Sequence, residues 1–371
     1  MRLLSIVGAR PQFVKLAVIA EEISHLRPDE GVQHRTLHTG QHYDARMSDS
    51  FFTGLGIPEP DYHLGIGSAP HGAQTGAMLA GIEEVMCEWR PDAVLVYGDT
   101  NSTLAGALAA AKMNVRVIHL EAGLRSFNRR MPEEINRIAT DHLADLLLCP
   151  TEAAMQNVAR EGLGEKSLLT GDVMLDLVLR FSDGAVADSM EARSQISPSG
   201  YALVTLHRAE NTDDPARLEA FVSLLERLPI QALLPAHPRL RGRLSAEQLA
   251  RVRALPHVHF LEPCEYVEML ALERNAQMIL TDSGGVQKEA YFLGVPCLTL
   301  RLETEWEETL AGGWNRVMGI DPDKLLPIIE SLVHGNGAMP RGLPDLSKFG
   351  SGNAGKNSVE AILKFLGGPS R

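Results

Sequence analysis

The sequence has no long apolar run and no closely spaced cysteines. Hydrophobic residues make up 44% of its 371 residues, yet no run reaches the roughly 18 residues that a membrane span requires. The first apolar segment is short and has no small-residue cleavage site, which argues against a signal peptide. The four cysteines form no CxxC pair, which predicts reduced and mostly buried thiols. We therefore expect a cytoplasmic protein without a membrane partner.

Positive charge is also scarce. The chain has 35 Lys and Arg residues against 47 Asp and Glu residues, a formal net charge of −12. This balance disfavours nucleic acid and anionic membranes as partners. An anionic ligand would have to be held by a local group of positive residues that acts against the field of the whole protein.

Short β-rich apolar segments alternate with helical patterns through most of the chain, as in parallel α/β sheets. Residues 182–200 instead combine Gly, Ser and Pro without an apolar period, which suggests a domain boundary nearby. We predict an α/β protein with two Rossmann-like, doubly wound domains that face a cleft. The predicted segments are 1–175, 176–355 and a C-terminal helix within 356–371 that can pack back on the first domain.

The unusual polar segments follow predicted strands in both halves of the chain. Examples are "GDTN" and "HLEAG" in the first half and "LHRAEN" and "TDSGGVQKE" in the second. Ligands of α/β proteins bind at the carboxyl ends of the strands. A ligand between the two domains is therefore the simplest interpretation.

The segment "TDSGGVQKEA" at residues 281–290 predicts an anion site at the start of a helix. Free N–H groups and the helix dipole favour phosphate there, and Gly284 and Gly285 allow close approach while Ser283 adds a hydroxyl. Glu289 would repel a phosphate, so we expect it to accept hydrogen bonds from two ribose hydroxyls. An ordinary N-cap followed by a glycine turn explains this segment alone equally well.

The segment "GARPQFVK" places Arg10 and Lys15 near the start of the first predicted helix. In isolation, two basic residues there are more often solvated surface groups. The turn is not GxGxxG, which disfavours a dinucleotide cofactor.

Four carboxylates and three histidines complete the candidate set. Asp99 and Glu121 end predicted strands, whereas Glu133 and Glu134 begin a helix, where acidic residues commonly complement the dipole. Converging carboxylates suit proton transfer. The histidines that follow strands are His42, His207 and His237, the last of which can be purely structural. No HExxH or paired Cys/His spacing is present, so we expect no metal.

Eight ordered motifs resemble the non-hydrolysing UDP-N-acetylglucosamine 2-epimerase family, from residue 1 to about residue 317. They include "GARPQFVK", "TGQHYD", "VYGDTNS", "HLEAGLRS", "PEEINR", "LHRAEN", "TDSGGVQKEA" and "TLRLETEW". Within the family, "GARPQF", "HGAQTGAML" and "ETEW" are more similar to the branch that acts on UDP-2,3-diacetamido-2,3-dideoxyglucuronic acid. In one departure, Leu302 stands where the family usually has an acidic residue.

The resemblance implies the two-domain fold of nucleotide-sugar glycosyltransferases (GT-B type), a homodimer, and chemistry without metal or NAD. It places the catalytic carboxylates at Asp99, Glu121 and Glu133, with His207 counted in both the catalytic and the binding set. The implied UDP- and sugar-binding residues are Arg10, Lys15, His42, His207, Ser283, Gly284, Gly285, Glu289 and Arg301.

The implied activity is that of an isomerase that inverts C2 of a UDP-2-acetamido sugar by elimination and re-addition of UDP. UDP-2,3-diacetamido-2,3-dideoxyglucuronate is the expected substrate, and UDP-GlcNAc, converted to UDP-ManNAc, is the alternative. A UDP-sugar glycosyltransferase of the same fold and a nucleotide-sugar-binding regulator without turnover are the more distant alternatives.

Overall fold

The computed structural model describes residues 1–27, 31–41, 55–181, 200–262, 264–335, 340 and 343–367. The chain divides into two compact units. The first comprises Met1–Leu177 with Leu346–Arg371, and the second comprises Val178–Asp345. Within the described part of the chain, no helix is long and apolar enough to cross a membrane. The predicted site residue His42 lies outside the described residues.

The first unit contains a seven-stranded parallel sheet with the order β3-β2-β1-β4-β5-β6-β7. Its strands are β1 (Arg2–Val7), β2 (Gln33–His38), β3 (Tyr62–His63), β4 (Ala93–Tyr97), β5 (Arg116–Leu120), β6 (Leu146–Cys149) and β7 (Ser167–Leu169). The helices that follow these strands are α1 (Arg10–Ser24), α2 (His71–Trp89), α3 (Asn101–Lys112), α4 (Pro132–Leu143), α5 (Glu152–Arg160) and α6 (Val173–Phe181).

The central strands of this sheet are mostly apolar because helices cover both faces. All five residues of β4 are buried. In β1, Leu4 faces Arg35 of β2 on one side and Val94 of β4 on the other. The strand order reverses between β1 and β4, so their carboxyl ends border the crevice where ligands of such sheets bind.

The second unit contains a six-stranded parallel sheet with the order β10-β9-β8-β11-β12-β13. Its strands are β8 (Tyr201–Thr205), β9 (Gln231–Pro235), β10 (Val258–Leu261), β11 (Met278–Thr281), β12 (Cys297–Thr299) and β13 (Asn315–Val317). Its helices are α7 (Ala209–Thr212), α8 (Pro215–Glu226), α9 (Pro238–Arg243), α10 (Ala246–Arg253), α11 (Tyr266–Arg274), α12 (Gly284–Leu293) and α13 (Pro322–Val333).

Two separate clusters of apolar side chains pack on the two faces of the second sheet. Phe221 of α8 packs with Leu280 of β11 on one face. Val286 and Ala290 of α12 pack with Ile279 of β11 on the other face. The strand order reverses between β8 and β11, which places a second ligand-accessible edge at the carboxyl ends of those strands. The predicted class, two Rossmann-like α/β domains, is confirmed.

The C-terminal helix α14 (Ala354–Gly367) packs against α1 in the first unit. Gly355 makes this packing close, because a Cβ on it would lie 2.4 Å from Val18 Cγ1. The Gly355 N–H donates a 2.8 Å hydrogen bond to Asp176 Oδ2. Burial raises the pKa of Asp176, and the N–H groups of Gly355 and Ala354 oppose that shift.

Candidate active site

The turn between β1 and α1 is tight and internally hydrogen-bonded. A Cβ on Gly8 would lie 2.1 Å from Thr39 Oγ1 and 2.2 Å from Ser102 Oγ, so only glycine fits. Gln12 Oε1 accepts hydrogen bonds from the N–H groups of Gly8 (2.8 Å) and Ala9 (3.0 Å). Gln12 thus caps the helix at Ala9 and also satisfies the N–H group of the preceding Gly8.

Lys15 and Glu121 form a nearly buried ion pair, with side chains 7% and 10% exposed. Gly98 makes room for it, since a Cβ there would lie 3.1 Å from both Glu121 Oε2 and Lys15 Nζ. Glu121 has φ of 67°, in the left-handed region that residues other than glycine seldom adopt. Such strained positions occur preferentially at functional sites. The structure therefore pairs Lys15, which the resemblance placed in the UDP-binding set, with Glu121, which it placed among the catalytic carboxylates.

Asp99 is held by a buried arginine that sequence reasoning did not select. Arg137, with a side chain only 2% exposed, pairs through Nη2 with Asp99 and through Nη1 with Glu134 Oε2 at 2.8 Å. The Asp99 carboxylate is 28% exposed, so one side of it stays open to solvent or ligand. The spacing in "PEEINR" could have indicated Arg137, because it stands four and three positions after the two glutamates and so shares a helix face with them.

Glu134 differs from its neighbour Glu133 in its surroundings. Glu134 is buried and accepts hydrogen bonds from Ser126 N at 2.9 Å and Phe127 N at 3.0 Å. Glu134 therefore fixes the loop before α4, and it also pairs with Arg137. Glu133 is half-buried in the same first helical turn, so of the two it is the one with accessible surface.

A second hydrogen-bonded group supports the backbone of Asp99. Asn136 Nδ2 donates to Asp99 O at 2.9 Å and to Asn101 Oδ1 at 3.2 Å. Asn101 Nδ2 donates in turn to Gln74 Oε1 at 2.8 Å. These amides connect α2, α3 and α4 to the turn after β4, which fixes the position of Asp99 from both its side chain and its main chain.

A fully buried network lies behind the same turn. Asp141 contacts His119 Nδ1 and Arg125 Nη1, each at 2.7 Å, and the other His119 nitrogen bonds Gly98 O at 2.7 Å. Burial alone would raise the pKa of Asp141, but the hydrogen bonds and charges of His119 and Arg125 hold it below its usual value. The network anchors the β4–α3 turn to β5 and α4.

In the second unit, helix α12 begins at the expected glycine pair. Ser283 is the N-cap, and its side chain accepts a 3.4 Å hydrogen bond from Val286 N. A Cβ on Gly284 would lie 2.6 Å from Glu305 Oε1, whereas one on Gly285 would meet nothing nearer than Ser283 Oγ at 3.8 Å. Gly284 is thus needed for packing, and Gly285 leaves its backbone accessible.

Asp282, which precedes this helix, is the centre of the second unit's polar edge. It is fully buried and accepts hydrogen bonds from His207 N (3.0 Å), Arg208 N (2.8 Å) and Asn211 Nδ2 (3.0 Å). His207 Nδ1 also lies 3.0 Å from Asp282 Oδ1. Burial would raise the pKa of Asp282, but His207, Asn211 and the Arg208 N–H lower it to about 2. The predicted residue His207 is therefore fixed to the strand that leads into α12.

Arg301 is buried among carboxylates. Its Nη1 lies 2.8 Å from Glu305 Oε2 and its Nε lies 3.4 Å from Glu210 Oε1. Glu305 Oε1 in turn lies 3.8 Å from Arg208 Nη2. Leu302 is 73% exposed. Glu210 and Glu305 supply the carboxylate partners of Arg301, so the acidic residue usual at position 302 is not needed to orient it.

Glu289 and His237 occupy distinct settings. Glu289 is only 4% exposed and lies on α12, where its carboxyl group meets that of the buried Glu273. His237 is the N-cap of α9 and accepts a 3.1 Å hydrogen bond from Arg239 N through Nδ1. Its ring lies 5.5 Å from that of His207. Its contact as a helix cap is therefore sufficient to explain His237 as a structural residue.

Among the described residues, no group of three or more His, Cys, Asp or Glu side chains is arranged to hold a metal ion. The two units define an α/β protein with Rossmann-like domains, each with polar groups gathered at the carboxyl edge of its sheet. Carboxylates predominate at the edge of the first unit. The edge of the second combines a helix N-terminus with buried arginine and histidine.

The chain belongs to the UDP-N-acetylglucosamine 2-epimerase family, whose model matches residues 24–363. A Methanococcus maripaludis protein named UDP-N-acetylglucosamine 2-epimerase homolog is 46% identical and covers 98% of this chain and 99% of its own. A Pseudomonas aeruginosa protein named UDP-2,3-diacetamido-2,3-dideoxy-D-glucuronate 2-epimerase is 45% identical, with 98% and 100% covered. The crystal structure of Methanocaldococcus jannaschii UDP-GlcNAc 2-epimerase with UDP-GlcNAc and UDP is 39% identical, with TM-score 0.88 and 98% and 100% covered.

These similarities confirm the family prediction and the prediction of an isomerase of the UDP-sugar 2-epimerase class. Both substrates considered from the sequence are represented in the names of these relatives. None of them is named as a glycosyltransferase, so that alternative has no support from the comparisons.

Proposed function

We propose that the protein inverts C2 of UDP-2,3-diacetamido-2,3-dideoxyglucuronate, with UDP-GlcNAc as the alternative substrate. The observations that carry this proposal are the polar groups of each unit, taken separately, in a member of this family. One unit has carboxylates fixed at strand ends, and the other has a helix N-terminus opened by glycine. The named Pseudomonas aeruginosa relative supports the first substrate, and the Methanocaldococcus jannaschii complex supports UDP-containing ligands in general.

The chemistry explains why both sets of residues are required. The C2 hydrogen of the sugar is not adjacent to a ketone, so direct removal by a carboxylate is unfavourable. Cleavage of the bond between C1 and the UDP oxygen transfers the bonding electrons to UDP and leaves positive charge at C1. The C2 proton then becomes acidic, and its loss gives a 1,2-ene. Protonation from the opposite face and return of UDP to C1 complete the inversion without an external oxidant.

The second unit is suited to hold UDP as the leaving group. Ser283, Gly284 and Gly285 present the N-terminus of α12 to the diphosphate, and a helix dipole stabilises negative charge there. Arg301 and His207 supply further donors. Glu289 is proposed to accept hydrogen bonds from the ribose. Arg10 and Lys15 of the first unit complete the proposed UDP-binding set, and His42 is proposed to contact the sugar.

The first unit is suited to move protons. Asp99, Glu121 and Glu133 are the proposed acid and base groups, because inversion requires proton transfer on both faces of C2. Arg137 fixes the orientation of Asp99, and Lys15 fixes that of Glu121. His207 is proposed to assist departure of UDP. Fixed charges of this kind lower a barrier because they need no reorganisation during the reaction.

The proposal also includes a cytoplasmic homodimer that uses neither metal nor NAD. The mechanism is tested by incubation in deuterated water with each UDP-sugar, followed by NMR of the products. Deuterium at C2 of the epimerised sugar is expected. Epimerisation without solvent label would contradict elimination and re-addition. Turnover of UDP-GlcNAc alone would identify the alternative substrate as the correct one. A glycoside product would contradict epimerisation and indicate a glycosyltransferase.

A further inference from the structure

Glu273 is a buried acidic residue that the proposed mechanism does not use. It lies on α11 and is 0% exposed. Across the described residues, no N–H or hydroxyl group donates a hydrogen bond to either of its carboxyl oxygens. The polar group that it contacts is the carboxyl of Glu289 on the neighbouring helix α12, itself 4% exposed. Two buried carboxyl groups in contact cannot both be ionised, because like charges there are poorly screened.

Burial, and after it the charge of Glu289, raise the pKa of Glu273 well above its usual value. The proton of this pair therefore resides on Glu273, the deeper of the two. Among the described residues, Cys297 of β12 is a further titratable neighbour, and burial raises the pKa of its thiol to about 12. Cys297 is thus a neutral thiol, and Glu289 is the available acceptor for the Glu273 proton.

We propose that Glu273 is a positioning residue that donates a hydrogen bond from its protonated carboxyl group to Glu289. That bond occupies one lone pair of the Glu289 carboxylate and fixes its rotation. The remaining lone pairs are then directed to the two hydroxyls of a ribose. This inference rests on the proposed function, in which Glu289 holds the ribose of UDP. A hydrogen bond from a neutral acid to a carboxylate is short and strong, which suits this role.

A purely structural role for Glu273 predicts a different outcome from a positioning role. If Glu273 only helps α11 pack on α12, its replacement weakens binding of every nucleotide equally. If it orients Glu289, its replacement weakens only the contribution of the ribose hydroxyls. Comparison of UDP with 2′-deoxy-UDP separates the two cases, because 2′-deoxy-UDP lacks one of the hydroxyls assigned to Glu289.

The test measures both dissociation constants by isothermal titration calorimetry for the full chain and three variants. Glu273→Gln keeps the volume and an N–H donor, and it should retain the wild-type preference for UDP over 2′-deoxy-UDP. Glu273→Met keeps the volume but removes the donor, and it should lower that preference by roughly tenfold, as expected for one lost charged hydrogen bond. Cys297→Ala alters packing beside Glu273 without touching the carboxyl pair, and it should leave the preference unchanged.

The inference is overturned if Glu273→Met keeps the full preference, or if Cys297→Ala lowers it as much as Glu273→Met does. Equal loss in Glu273→Gln and Glu273→Met would also overturn it. Because Glu273→Met can fail to fold, infrared difference spectra of wild type minus Glu273→Gln provide a second measurement. A protonated carboxyl band at neutral pH is expected, and its absence contradicts the inference.

The infrared measurement separates this inference from the proposed function, since it requires no nucleotide. Failure of the wild type to bind UDP would contradict the proposed function while the carboxyl band still reports on Glu273. A wild type that binds UDP and exchanges deuterium at C2, but lacks the band, would contradict the inference alone.

Discussion

The adjacent glycines at the start of α12 give a sharp prediction because the structure assigns them different surroundings. An alanine Cβ at Gly284 would lie 2.6 Å from Glu305 Oε1, which is too close for any real contact. Glu305 is held at 2.8 Å by buried Arg301 and cannot move freely. Overpacking of this kind costs about 1–3 kcal/mol. We therefore expect Gly284→Ala to lower the free energy of unfolding by that amount and to weaken UDP binding through Arg301.

At Gly285 the same substitution should have the opposite effect on stability. The nearest atom to its Cβ would be Ser283 Oγ at 3.8 Å, so the protein itself accepts the methyl group. Alanine is favoured over glycine within a helix by up to about 1 kcal/mol. A diphosphate oxygen hydrogen-bonded to this helix end would lie about 3 Å from the backbone nitrogen, and the methyl group would then obstruct it. We expect Gly285→Ala to raise stability while weakening UDP binding at least tenfold, or about 1.4 kcal/mol.

Urea unfolding and isothermal titration calorimetry with UDP on the wild type and both variants measure these effects. At position 285 the substitution is expected to change stability and UDP affinity in opposite directions. If Gly285→Ala binds UDP as tightly as the wild type, the diphosphate does not approach this helix end. If it is destabilised as strongly as Gly284→Ala, the space around Gly285 is not as open as the structure shows.

Three further predictions concern the fixed charges of the two units. Asp99→Asn and Glu121→Gln should each lower deuterium exchange at C2 by roughly a hundredfold or more while UDP binding persists, and near-normal exchange in both would contradict their assignment. Arg137→Lys replaces the two separated N–H groups of the planar guanidinium by a single ammonium group that orients Asp99 less well, so turnover should fall about tenfold with unchanged UDP affinity; equal turnover would refute the positioning of Asp99. Asp282→Asn should lower stability at neutral pH by about 2 kcal/mol, because the folded-state pKa is lowered from 3.8 to about 2. That difference should shrink as the pH falls from about 4 toward 2, and urea unfolding over this range checks the sign.

The fold class, the start of α12 and the family are predictable from local sequence patterns. The alternation of apolar strands and helices predicted the parallel α/β class, because a strand covered on both faces is apolar at most of its positions. The segment "TDSGGVQKEA" predicted a helix N-terminus, because an N-cap serine and two glycines stand between an apolar strand and a helical pattern. The ordered motifs predicted the family, which the comparisons confirm.

The pairing of charged side chains was not predictable in this way. Lys15 is 106 positions from Glu121, and His207 is 75 positions from Asp282. Neither the period of a helix nor that of a strand indicates which charged side chains will pair at the edge of a sheet. The sequence implied Lys15 as a UDP ligand, whereas the folded chain pairs it with a candidate catalytic carboxylate.

Local sequence patterns are sufficient to predict the class, the family and which residues follow the strands. Which of those residues are fixed in place depends on partners from distant segments, such as Arg137 for Asp99 and Asp282 for His207. This is because composition and periodicity indicate which positions are buried. The ionisation and orientation of a buried group instead depend on neighbours that the parallel strand order brings together from distant parts of the chain.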